Sequence, residues 1–571
     1  MRPRAFLSPL GALFASLLFL LSQQVTAEAR PGRFLKARPM ELEELYGTRV
    51  RFKKREPVVL VGLMDAQEEI TVGGDGPLRL VFDDGDMPRT LYADEGSRFR
   101  FRTLEVKPAV VRYVVVVASE PSTKPDTLSA RVSAWAARGR PARIVETGAI
   151  LGMSGTLLDT RSRRLVIGPF AERAEADDFV ASVSKEGLSE LFVDELLERA
   201  PSGFVGIHDA AGRLLHKAKG SVFVSGLDGD KLRVFEVEFA RGYRWHGRET
   251  REFWGDVYVA LDRAGKLAAV NSVASEKLLR GLVPKELFAD APLEALKAQA
   301  VTARGEIFGK LAHRHFAEPF HVCSEQHCQV YAGAGGEAPR PTEAVDATRG
   351  RVAIRPRATP DTPLELVESY YSSSCGGYSE TNDTVWGTSA SPSLRARLDE
   401  IGTDPALDRF RSAMDDNILR SFLDSFPPVA CARSKFLNAK KLRWKETFEG
   451  ESLSAIAAKL GVGELTDVSI LGRGPGHRIK GVRIVGRDKQ VDVLRELPVR
   501  QLFNNLNSGL FVLDVEKDAK GAVVRVTFTG GGWGHGVGMC QQGAIARAQA
   551  GQGYEAILAH YYGGAELQRI Y

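Results

Sequence analysis

The sequence predicts an α+β protein of several domains, with strands dominating the N-terminal part and mixed α/β structure the C-terminal part. Of its 571 residues, 44% are hydrophobic and 26% are charged, proportions typical of globular proteins. Short β-branched runs separated by Gly and Asp fill residues 48–140, whereas strand and helix patterns are mixed after residue 275. A chain of this length is long enough for about three domains.

Residues 1–27 have the organisation of a secretory signal peptide. Arg2 and Arg4 precede an apolar run from Leu10 to Leu21, and Val25-Thr26-Ala27 offers a small-residue cleavage pattern. The apolar run is short for a membrane span, and no later stretch of about 20 uncharged apolar residues follows. We therefore expect a secreted protein of the periplasm or cell envelope, with no stable membrane span after signal cleavage. An uncleaved N-terminal anchor is the alternative.

Charge and cysteine content exclude two classes of protein. The chain has 77 Lys and Arg against 72 Asp and Glu, and this small, interspersed excess argues against nucleic acid as a partner. Five cysteines in an exported chain of this length do not make a disulfide scaffold. Their odd number leaves at least one thiol unpaired or bound to a metal.

Strand patterns begin at residue 57 with "PVVLVGLMDAQEEITVGGDGPLRLVF" and continue in "RFRFRTLEV" and "VVRYVVVVAS". A break rich in Ser, Pro and Lys follows at residues 119–126, which we interpret as a loop or linker. Strand patterns return at residues 204–275, where Ala-Gly turns predict hairpins.

A different pattern occupies residues 160–225. A strand at Leu165–Ile167 meets a Gly-Pro turn, and Gly187 separates the following helix from another apolar run. The predicted helix places four apolar residues on one face: Ala176, Phe179, Val180 and Val183. This β-turn-α-β unit resembles the SPOR domain, a small module of bacterial cell envelopes that binds glycan strands stripped of their peptides. An ordinary βαβ piece of a larger domain is the alternative.

Two glutamates eight positions apart, Glu286 and Glu294, are candidates for acid–base chemistry. Pro292 fits the first position of a helix and places Glu294 in its first turn, where the helix dipole stabilises the ionised carboxylate and lowers its pKa. A general acid needs the opposite, a carboxyl kept protonated by apolar surroundings. Glu286 lies in such surroundings, so we predict that it is the proton donor. Glu294 as donor, or a structural role for both, are the alternatives.

A second candidate site lies in "HRHFAEPFHVCSEQHCQVYAG", residues 313–333. Cys323, His327 and Cys328 fall within six residues, and thiolates and imidazoles are ligands that zinc favours. His315, His321 or Cys375 would supply a fourth ligand. A disulfide between Cys323 and Cys328, or free thiols, are the alternatives.

A glycine-rich stretch near the C-terminus, "GGGWGHGVGMCQQGA", surrounds Trp533 and His535. Its glycines let the backbone turn tightly or approach a ligand closely. A lone histidine in such a loop is structural as often as functional, so the pattern alone predicts only a site loop.

Together these segments resemble the SpoIID/LytB family of bacterial peptidoglycan proteins. The matching stretches run in the family's order and are "LLRGLVPKEL", "PLEALKAQAVTAR", "HVCSEQHCQVYAG", "YYSSSCGGYSETNDTVWG", "RWKETFEGESLSAIAAKLG" and the segment from residue 530 to the end. We assign a SpoIID-like catalytic domain to residues 226–571, with its opening strands near residue 57. The SPOR-like segment is then an insertion.

The resemblance implies an activity and a set of site residues. It implies a lytic transglycosylase that cleaves the β-1,4 bond after N-acetylmuramic acid in peptide-free glycan, with one glutamate as general acid and base, and it assigns that role to Glu286. It also implies a zinc site at Cys323, His327 and Cys328, with His315 as the chosen fourth ligand. The expected substrate contacts are Ser373, Ser374, Glu380 and His535. A non-catalytic enhancer that binds glycan and stimulates a cell-wall amidase is the alternative function.

The chain departs from the family pattern at three positions. Leu287 stands where Met is usual, which leaves the preceding carboxyl in place. Cys375 and Cys540 stand where a small residue and Ser are common, so the resemblance assigns no thiol chemistry to either.

Overall fold

The computed structural model describes residues 39–571 except 154, 185–190, 228, 243–244, 358 and 360–361. The expected signal peptide at residues 1–27 lies outside the described residues. Among the helices of the described part, none is long and apolar enough to cross a membrane.

Strand β4 (Leu78–Asp83), among the first strands of the described part, has apolar residues that alternate with polar or less buried ones. Leu78, Leu80 and Phe82 are buried while the residues between them are half-buried, as expected for one sheet face turned to a core. The first elements are α1 (Leu42–Leu45), β1 (Arg51–Lys53), β2 (Glu56–Gln67), β3 (Glu69–Gly74), β4 (Leu78–Asp83), β5 (Pro88–Ala93) and β6 (Arg98–Lys107).

A separate unit with its own core follows. Its elements are β7 (Val110–Pro121), α2 (Leu128–Ala136), β8 (Ala142–Thr147), β11 (Ser162–Phe170), α3 (Arg173–Ser184) and β12 (Phe192–Arg199). The intervening β9 (Ile150–Met153) and β10 (Thr156–Asp159) pair with each other and contribute to the core of the earlier strands. The sheet order is β12-β7-β11-β8, with β7 antiparallel to β11 and β12, and β8 antiparallel to β11. This is a pair of interlocked split βαβ units, the ferredoxin-like arrangement.

The inserted unit runs from 110 to 199, so its bounds differ from the segment 160–225 assigned from the sequence. The predicted helix face is present, because Ala176 and Val183 of α3 are fully buried in the unit's core with Phe179 and Val180 packed against it. The likeness to a SPOR domain stays a prediction.

The next strands complete the sheets begun before the insertion. They are β13 (Ser202–His208), β14 (Leu214–Lys219), β15 (Ser221–Gly226), β16 (Leu232–Phe239), β17 (Gly247–Phe253), β18 (Asp256–Leu261), β19 (Leu267–Ala274) and the later β20 (Val322–Cys323). One sheet has the order β1-β2-β19-β18-β15-β4-β5 with β20 on β2, and the other has the order β14-β13-β6-β3-β16-β17. Both contribute to one hydrophobic core, so residues 202–274 belong structurally with residues 51–107.

The remaining elements mix helices with short strands. They are α4 (Ser275–Glu286), α5 (Leu293–Lys310), α6 (Pro339–Ala347), β21 (Arg351–Ile354), β22 (Leu364–Glu365), β23 (Tyr371–Ser372), α7 (Asn382–Trp386), α8 (Asp416–Asp424), α9 (Ala439–Leu442), β24 (Arg443–Glu449), α10 (Glu451–Leu460), β25 (Leu465–Arg473), β26 (Ile479–Gly486), β27 (Gln490–Leu494), α11 (Glu496–Leu502), β28 (Phe511–Lys517), β29 (Val523–Gly531), β30 (Met539–Cys540), α12 (Gln541–Gln549), α13 (Tyr554–Tyr561) and β31 (Glu566–Arg569). The α+β class predicted from the sequence agrees with this mixture.

Two pairings in this part position the candidate site. Strand β23 lies parallel to β30, with Tyr371 opposite Met539 and Ser372 opposite Cys540. Helix α4 begins directly after β19 and ends at Glu286. The glycine-rich loop therefore meets the segment after residue 370 beside the end of α4, where Gln541 donates from Nε2 to the Glu286 carbonyl oxygen at 2.8 Å.

Candidate active site and metal cluster

Glu286 is the last residue of helix α4, where burial favours the protonated form of its carboxyl group. The side chain is half-buried, and burial raises the pKa of its carboxyl group above the ordinary glutamate value, outweighing the hydrogen bonds that favour ionisation. The negative end of a helix dipole acts in the same direction. One carboxyl oxygen, Oε1, accepts a hydrogen bond of 2.9 Å from the Val330 N–H group.

The Tyr371 hydroxyl lies beside the Glu286 carboxyl and is hydrogen-bonded to Gln329. The Gln329 amide is oriented by its Nε2 group, which donates to the Ala303 carbonyl oxygen at 3.1 Å. The Tyr371 hydroxyl donates its proton to Gln329 Oε1 at 3.0 Å and also contacts the Glu286 carboxyl. Its contact with Glu286 favours the ionised carboxyl and lowers the pKa, but burial raises the pKa by more.

Glu294 has the opposite environment. It lies in the first turn of α5, with Oε1 accepting from Lys297 Nζ at 2.7 Å and Oε2 accepting from the Tyr554 N–H group at 2.8 Å. Burial raises the pKa of its carboxyl group, but the hydrogen bonds from Lys297 and Tyr554 and the Lys297 charge together lower it by more, so the net pKa lies below the ordinary value. Glu294 is thus an ionised carboxylate that joins α5 to the start of α13.

Two of the expected substrate contacts lie buried inside the protein. Glu380 is 0% exposed and accepts hydrogen bonds from the N–H groups of Thr381, Gly476 and Arg478 at 2.9–3.1 Å. Ser374 is also 0% exposed, and its backbone pairs with Trp533. Both side chains are thus buried and lie within internally paired segments, and a contact of either with substrate stays a prediction. Ser373 is half-buried and stays a predicted contact.

His535 orders the backbone around Tyr371. Its Nδ1 atom accepts a hydrogen bond of 3.0 Å from the Val537 N–H group, and its ring is also hydrogen-bonded to the Tyr371 backbone. Burial lowers the pKa of the imidazole to about 3, so the ring is neutral near pH 7 and packs 5.0 Å from the Trp386 ring. Both ring nitrogens are used within the protein, and a direct contact with substrate stays a prediction.

The four residues chosen as zinc ligands from the sequence come together in space. The ligand atoms of His315, Cys323, His327 and Cys328, here called the His–Cys cluster, lie within 4.8 Å of one another. His315 Nε2 lies 3.3 Å from Cys328 Sγ, and His327 Nδ1 lies 3.7 Å and 3.8 Å from the sulfurs of Cys328 and Cys323. Both cysteines are free thiols in this structure.

The spacing of the cluster fits a tetrahedral metal ion. A Zn²⁺ ion with Zn–S bonds of about 2.3 Å and Zn–N bonds of about 2.0–2.1 Å holds its S and N ligands about 3.5 Å apart. The other two candidates for the fourth ligand are elsewhere. His321 is buried with Nδ1 accepting from the Leu60 N–H group at 3.2 Å, and Cys375 lies in a different cluster.

Known proteins resemble this chain over about half of its length. A family model described as Stage II sporulation protein matches residues 263–354, and another, described as a domain of unknown function, matches residues 380–538. An amidase enhancer of Bacillus subtilis (strain 168) is 30% identical over 309 residues, which cover 51% of this chain. Stage II sporulation protein D of Bacillus amyloliquefaciens is 27% identical over 316 residues, or 52% of this chain and 75% of the relative.

The predicted relationship to the SpoIID/LytB family is confirmed. The chain spans 40% of the length of the amidase enhancer that it matches. The SpoIID match contains Glu286, Glu294 and the whole His–Cys cluster.

Sequence reasoning missed the groups that surround Glu286 in this SpoIID-type domain. Gln329 and Tyr371 both lie in segments with the family's pattern, but a polar residue in a motif does not reveal its partner. Tyr371 reaches Gln329 across 42 positions of sequence, and Gln541 reaches Glu286 across 255. Only the fold brings these side chains to the end of α4.

Proposed function

We propose that the chain is a peptidoglycan lytic transglycosylase that cleaves glycan strands lacking stem peptides. The observation that carries this proposal is the Glu286 carboxyl at the end of α4, which is held by the Val330 N–H group and whose pKa burial raises above the ordinary glutamate value. A carboxyl group with a raised pKa is what a general acid for glycosidic cleavage requires. The kinship with SpoIID proteins supports cell-wall glycan as the substrate.

The proposed reaction uses this one carboxyl twice. Glu286 gives its proton to the bridging oxygen as the bond from that oxygen to C1 of N-acetylmuramic acid breaks. The C6 hydroxyl oxygen of the same sugar then bonds to C1, and its proton passes to the Glu286 carboxylate. The products are a free 4-hydroxyl and a 1,6-anhydro end, and the carboxyl is again protonated without consumption of water.

A zinc ion in the His–Cys cluster would have a structural role in this scheme. His315, Cys323, His327 and Cys328 fill four tetrahedral positions and leave none open for a reacting group. The bound ion would close the loop that ends just before Gln329 and Val330, the residues that orient Tyr371 and Glu286. Zinc content is therefore expected to affect the precision of the site rather than the chemistry itself.

Digestion of peptide-free glycan tests the proposal. Purified full-length protein is incubated with these strands, and the products are analysed by mass spectrometry for 1,6-anhydro ends. We expect Glu286→Gln to lower their rate of formation by about 10²–10⁴-fold while glycan pull-down is retained. Glu294→Gln is the matched control and keeps most of the activity. Equal losses in two folded variants would remove Glu286 from its assigned role.

A second function is favoured by the similarity to an amidase enhancer. In that case the protein binds glycan or a cell-wall amidase and increases release of stem peptides. Wild-type protein would then give no 1,6-anhydro ends but would accelerate an added N-acetylmuramoyl-L-alanine amidase, and Glu286→Gln would leave the acceleration unchanged. The two functions thus give opposite results in the same pair of assays.

A further inference from the structure

A second group of metal-binding side chains lies buried behind the candidate active site. Cys375, Asp399, Cys431 and Cys540, here called the buried thiol cluster, have ligand atoms within 4.8 Å of one another, and each residue is at most 1% exposed. Cys375 Sγ lies 4.0 Å from Cys431 Sγ and 3.4 Å from Asp399 Oδ2. These residues come from four separate segments of the chain, so the fold assembles the cluster.

Backbone N–H groups point at two of the three sulfur atoms. Cys540 Sγ accepts from the N–H groups of Cys375 at 3.2 Å and Gly543 at 3.3 Å, and Cys375 Sγ accepts from Gly377 at 3.4 Å. A neutral thiol is a weak acceptor, whereas hydrogen bonds to sulfur are typical around metal-bound thiolates. This backbone arrangement therefore suits anionic sulfur.

The Asp399 carboxylate accepts hydrogen bonds from two residues outside the cluster. Asp399 Oδ1 accepts from Arg547 Nη2 at 2.8 Å, and the Tyr561 hydroxyl donates to Oδ2 at 3.0 Å. Ligating carboxylates are commonly hydrogen-bonded in this way by a surrounding shell of residues. Asp399 can thus present Oδ2 to a shared ion while Oδ1 stays paired with Arg547.

The surrounding charges suit a divalent cation. Three thiolates, one carboxylate and one Zn²⁺ leave two net negative charges, which the guanidinium groups of Arg547 and Arg443 balance. Arg443 Nη1 donates to the Gly376 carbonyl oxygen at 2.8 Å, next to Cys375.

We propose that the buried thiol cluster is a structural zinc site with the ligand set Cys375, Asp399, Cys431 and Cys540. Four ligands from three sulfurs and one oxygen complete a tetrahedral shell without an open position. The separations of Cys375 Sγ from Asp399 Oδ2, 3.4 Å, and from Cys431 Sγ, 4.0 Å, lie close to the values of about 3.5–3.8 Å that Zn–S and Zn–O bonds of about 2.3 Å and 2.0–2.2 Å require. The site is independent of the His–Cys cluster and of the proposed activity.

A metal ion here would join the strands that carry the candidate active site. Cys375 follows β23, which contains Tyr371, and Cys540 ends β30 immediately before Gln541. Gln541 in turn donates to the Glu286 carbonyl oxygen. The ion would therefore fix the pairing of β23 with β30 and, through it, the position of Tyr371 relative to Glu286.

Metal analysis of the full chain tests the site without reference to activity. The protein is purified without chelator, dialysed against metal-free buffer, and its zinc is measured by plasma mass spectrometry. We expect the variant Cys323→Ser/Cys328→Ser, which lacks the His–Cys cluster, to retain about one zinc ion per chain. Addition of Cys431→Ser should remove it, whereas Ala432→Ser at the neighbouring position should not. A cobalt-loaded Cys323→Ser/Cys328→Ser variant should show thiolate-to-cobalt absorption.

Two results would overturn the proposal. One is a Cys323→Ser/Cys328→Ser variant with the near-ultraviolet circular dichroism of wild type but no zinc. The other is a loss of two titratable thiols in denatured, unreduced protein from that variant, which would show a disulfide within the cluster. If that variant does not fold, the zinc content of the single variant Cys431→Ser is compared with that of wild type. Equal zinc contents would contradict the proposed site.

Discussion

Glu276 and Arg304 form a two-point ion pair between helices α4 and α5. Arg304 Nε donates to Glu276 Oε1 at 2.9 Å and Arg304 Nη2 to Oε2 at 2.8 Å, and Arg304 is 0% exposed. Helix α4 ends at Glu286, and α5 begins one residue before Glu294. This pair therefore fixes the two helices that carry both candidate glutamates.

Removal of the arginine is expected to destabilise the protein strongly. Arg304→Met leaves the Glu276 charge buried without its partner, which costs about 3–5 kcal/mol in unfolding free energy. Urea unfolding followed by circular dichroism measures the change. Arg483→Met, which breaks an exposed pair with Asp492 of similar length, is the control and should cause little loss. Equal losses in the two variants would show that the buried pair has no special role.

Acid should weaken the wild type through the same pair. Burial raises the pKa of the Glu276 carboxyl, but Arg304 and the hydrogen bonds lower it more, so the folded pKa lies below the unfolded one. The pair's contribution is complete above the unfolded pKa of about 4.3 and is lost as the pH falls through the folded value. Urea midpoints between pH 3 and pH 6 should therefore depend less on pH in Glu276→Gln than in wild type.

Activity should decline as the pH rises. The pKa of Glu286 is raised by burial, so the acid form persists above the ordinary glutamate range and is lost when the pH passes the folded pKa. Initial rates of 1,6-anhydro end formation across pH 4–9 show where this happens. Glu294→Gln should leave the position of the alkaline limb unchanged. A rate that increases steadily above neutral pH contradicts a protonated Glu286.

Stability should respond to Glu286 in the opposite sense to Glu276. A raised carboxyl pKa means that the folded state binds its proton more tightly than the unfolded state, so this contribution is lost as the pH rises through the folded pKa. Glu286→Gln keeps an acceptor for the Val330 N–H group and cannot ionise. At alkaline pH it should therefore be at least as stable as wild type in urea, and a clear loss of stability there would contradict the assignment.

The Tyr371 hydroxyl should influence the rate without affecting the fold. Tyr371→Phe removes the hydroxyl that contacts Glu286 and donates to Gln329, and loss of one such hydrogen bond, about 1.4 kcal/mol, lowers the rate about tenfold. We expect the alkaline limb of the pH profile to shift while glycan pull-down is unchanged. Tyr370→Phe is the neighbouring control. An unchanged pH profile in Tyr371→Phe would exclude the hydroxyl from positioning the carboxyl.

Local patterns were sufficient for part of the site and fold, and long-range pairing explains the rest. Cys323, His327 and Cys328 are close in sequence, and the helix face of Ala176 and Val183 follows from local periodicity. The sequence could not show that Gly476 and Arg478 would occupy the oxygens of Glu380, because those donors lie about a hundred positions away. A polar residue in a family motif therefore does not reveal whether the fold buries it as an acceptor.

Strand partners were equally inaccessible from the sequence. The apolar run from Val110 to Pro121 has the same composition as the earlier strands, yet it pairs with β11 and β12 of the inserted unit. Strands β13 to β19 return to the sheets of residues 51–107. A period of two fixes which face of a strand is buried but not which strand lies beside it, so the bounds of the insertion required the structure.

Zinc in the His–Cys cluster should depend on His315. His315→Ala removes one of four ligands and should lower zinc content and the melting temperature, because metal binding stabilises the folded state. His313→Ala is the matched control, since the His313 ring contacts Thr147 and Thr160 instead of the cluster. Zinc content is measured on protein purified without chelator. Equal zinc in His315→Ala and wild type would exclude His315 as a ligand.

Glu294 should contribute to stability rather than to chemistry. Glu294→Gln removes the charge that pairs with Lys297 and weakens the acceptor for the Tyr554 N–H group at the start of α13. The side chain is partly exposed, so solvent screens the ion pair and the expected loss in unfolding free energy is about 1 kcal/mol. Lys297→Met, which removes only the ion pair, should cost less. A Glu294→Gln variant with unchanged stability but no 1,6-anhydro products would instead place Glu294 in the reaction.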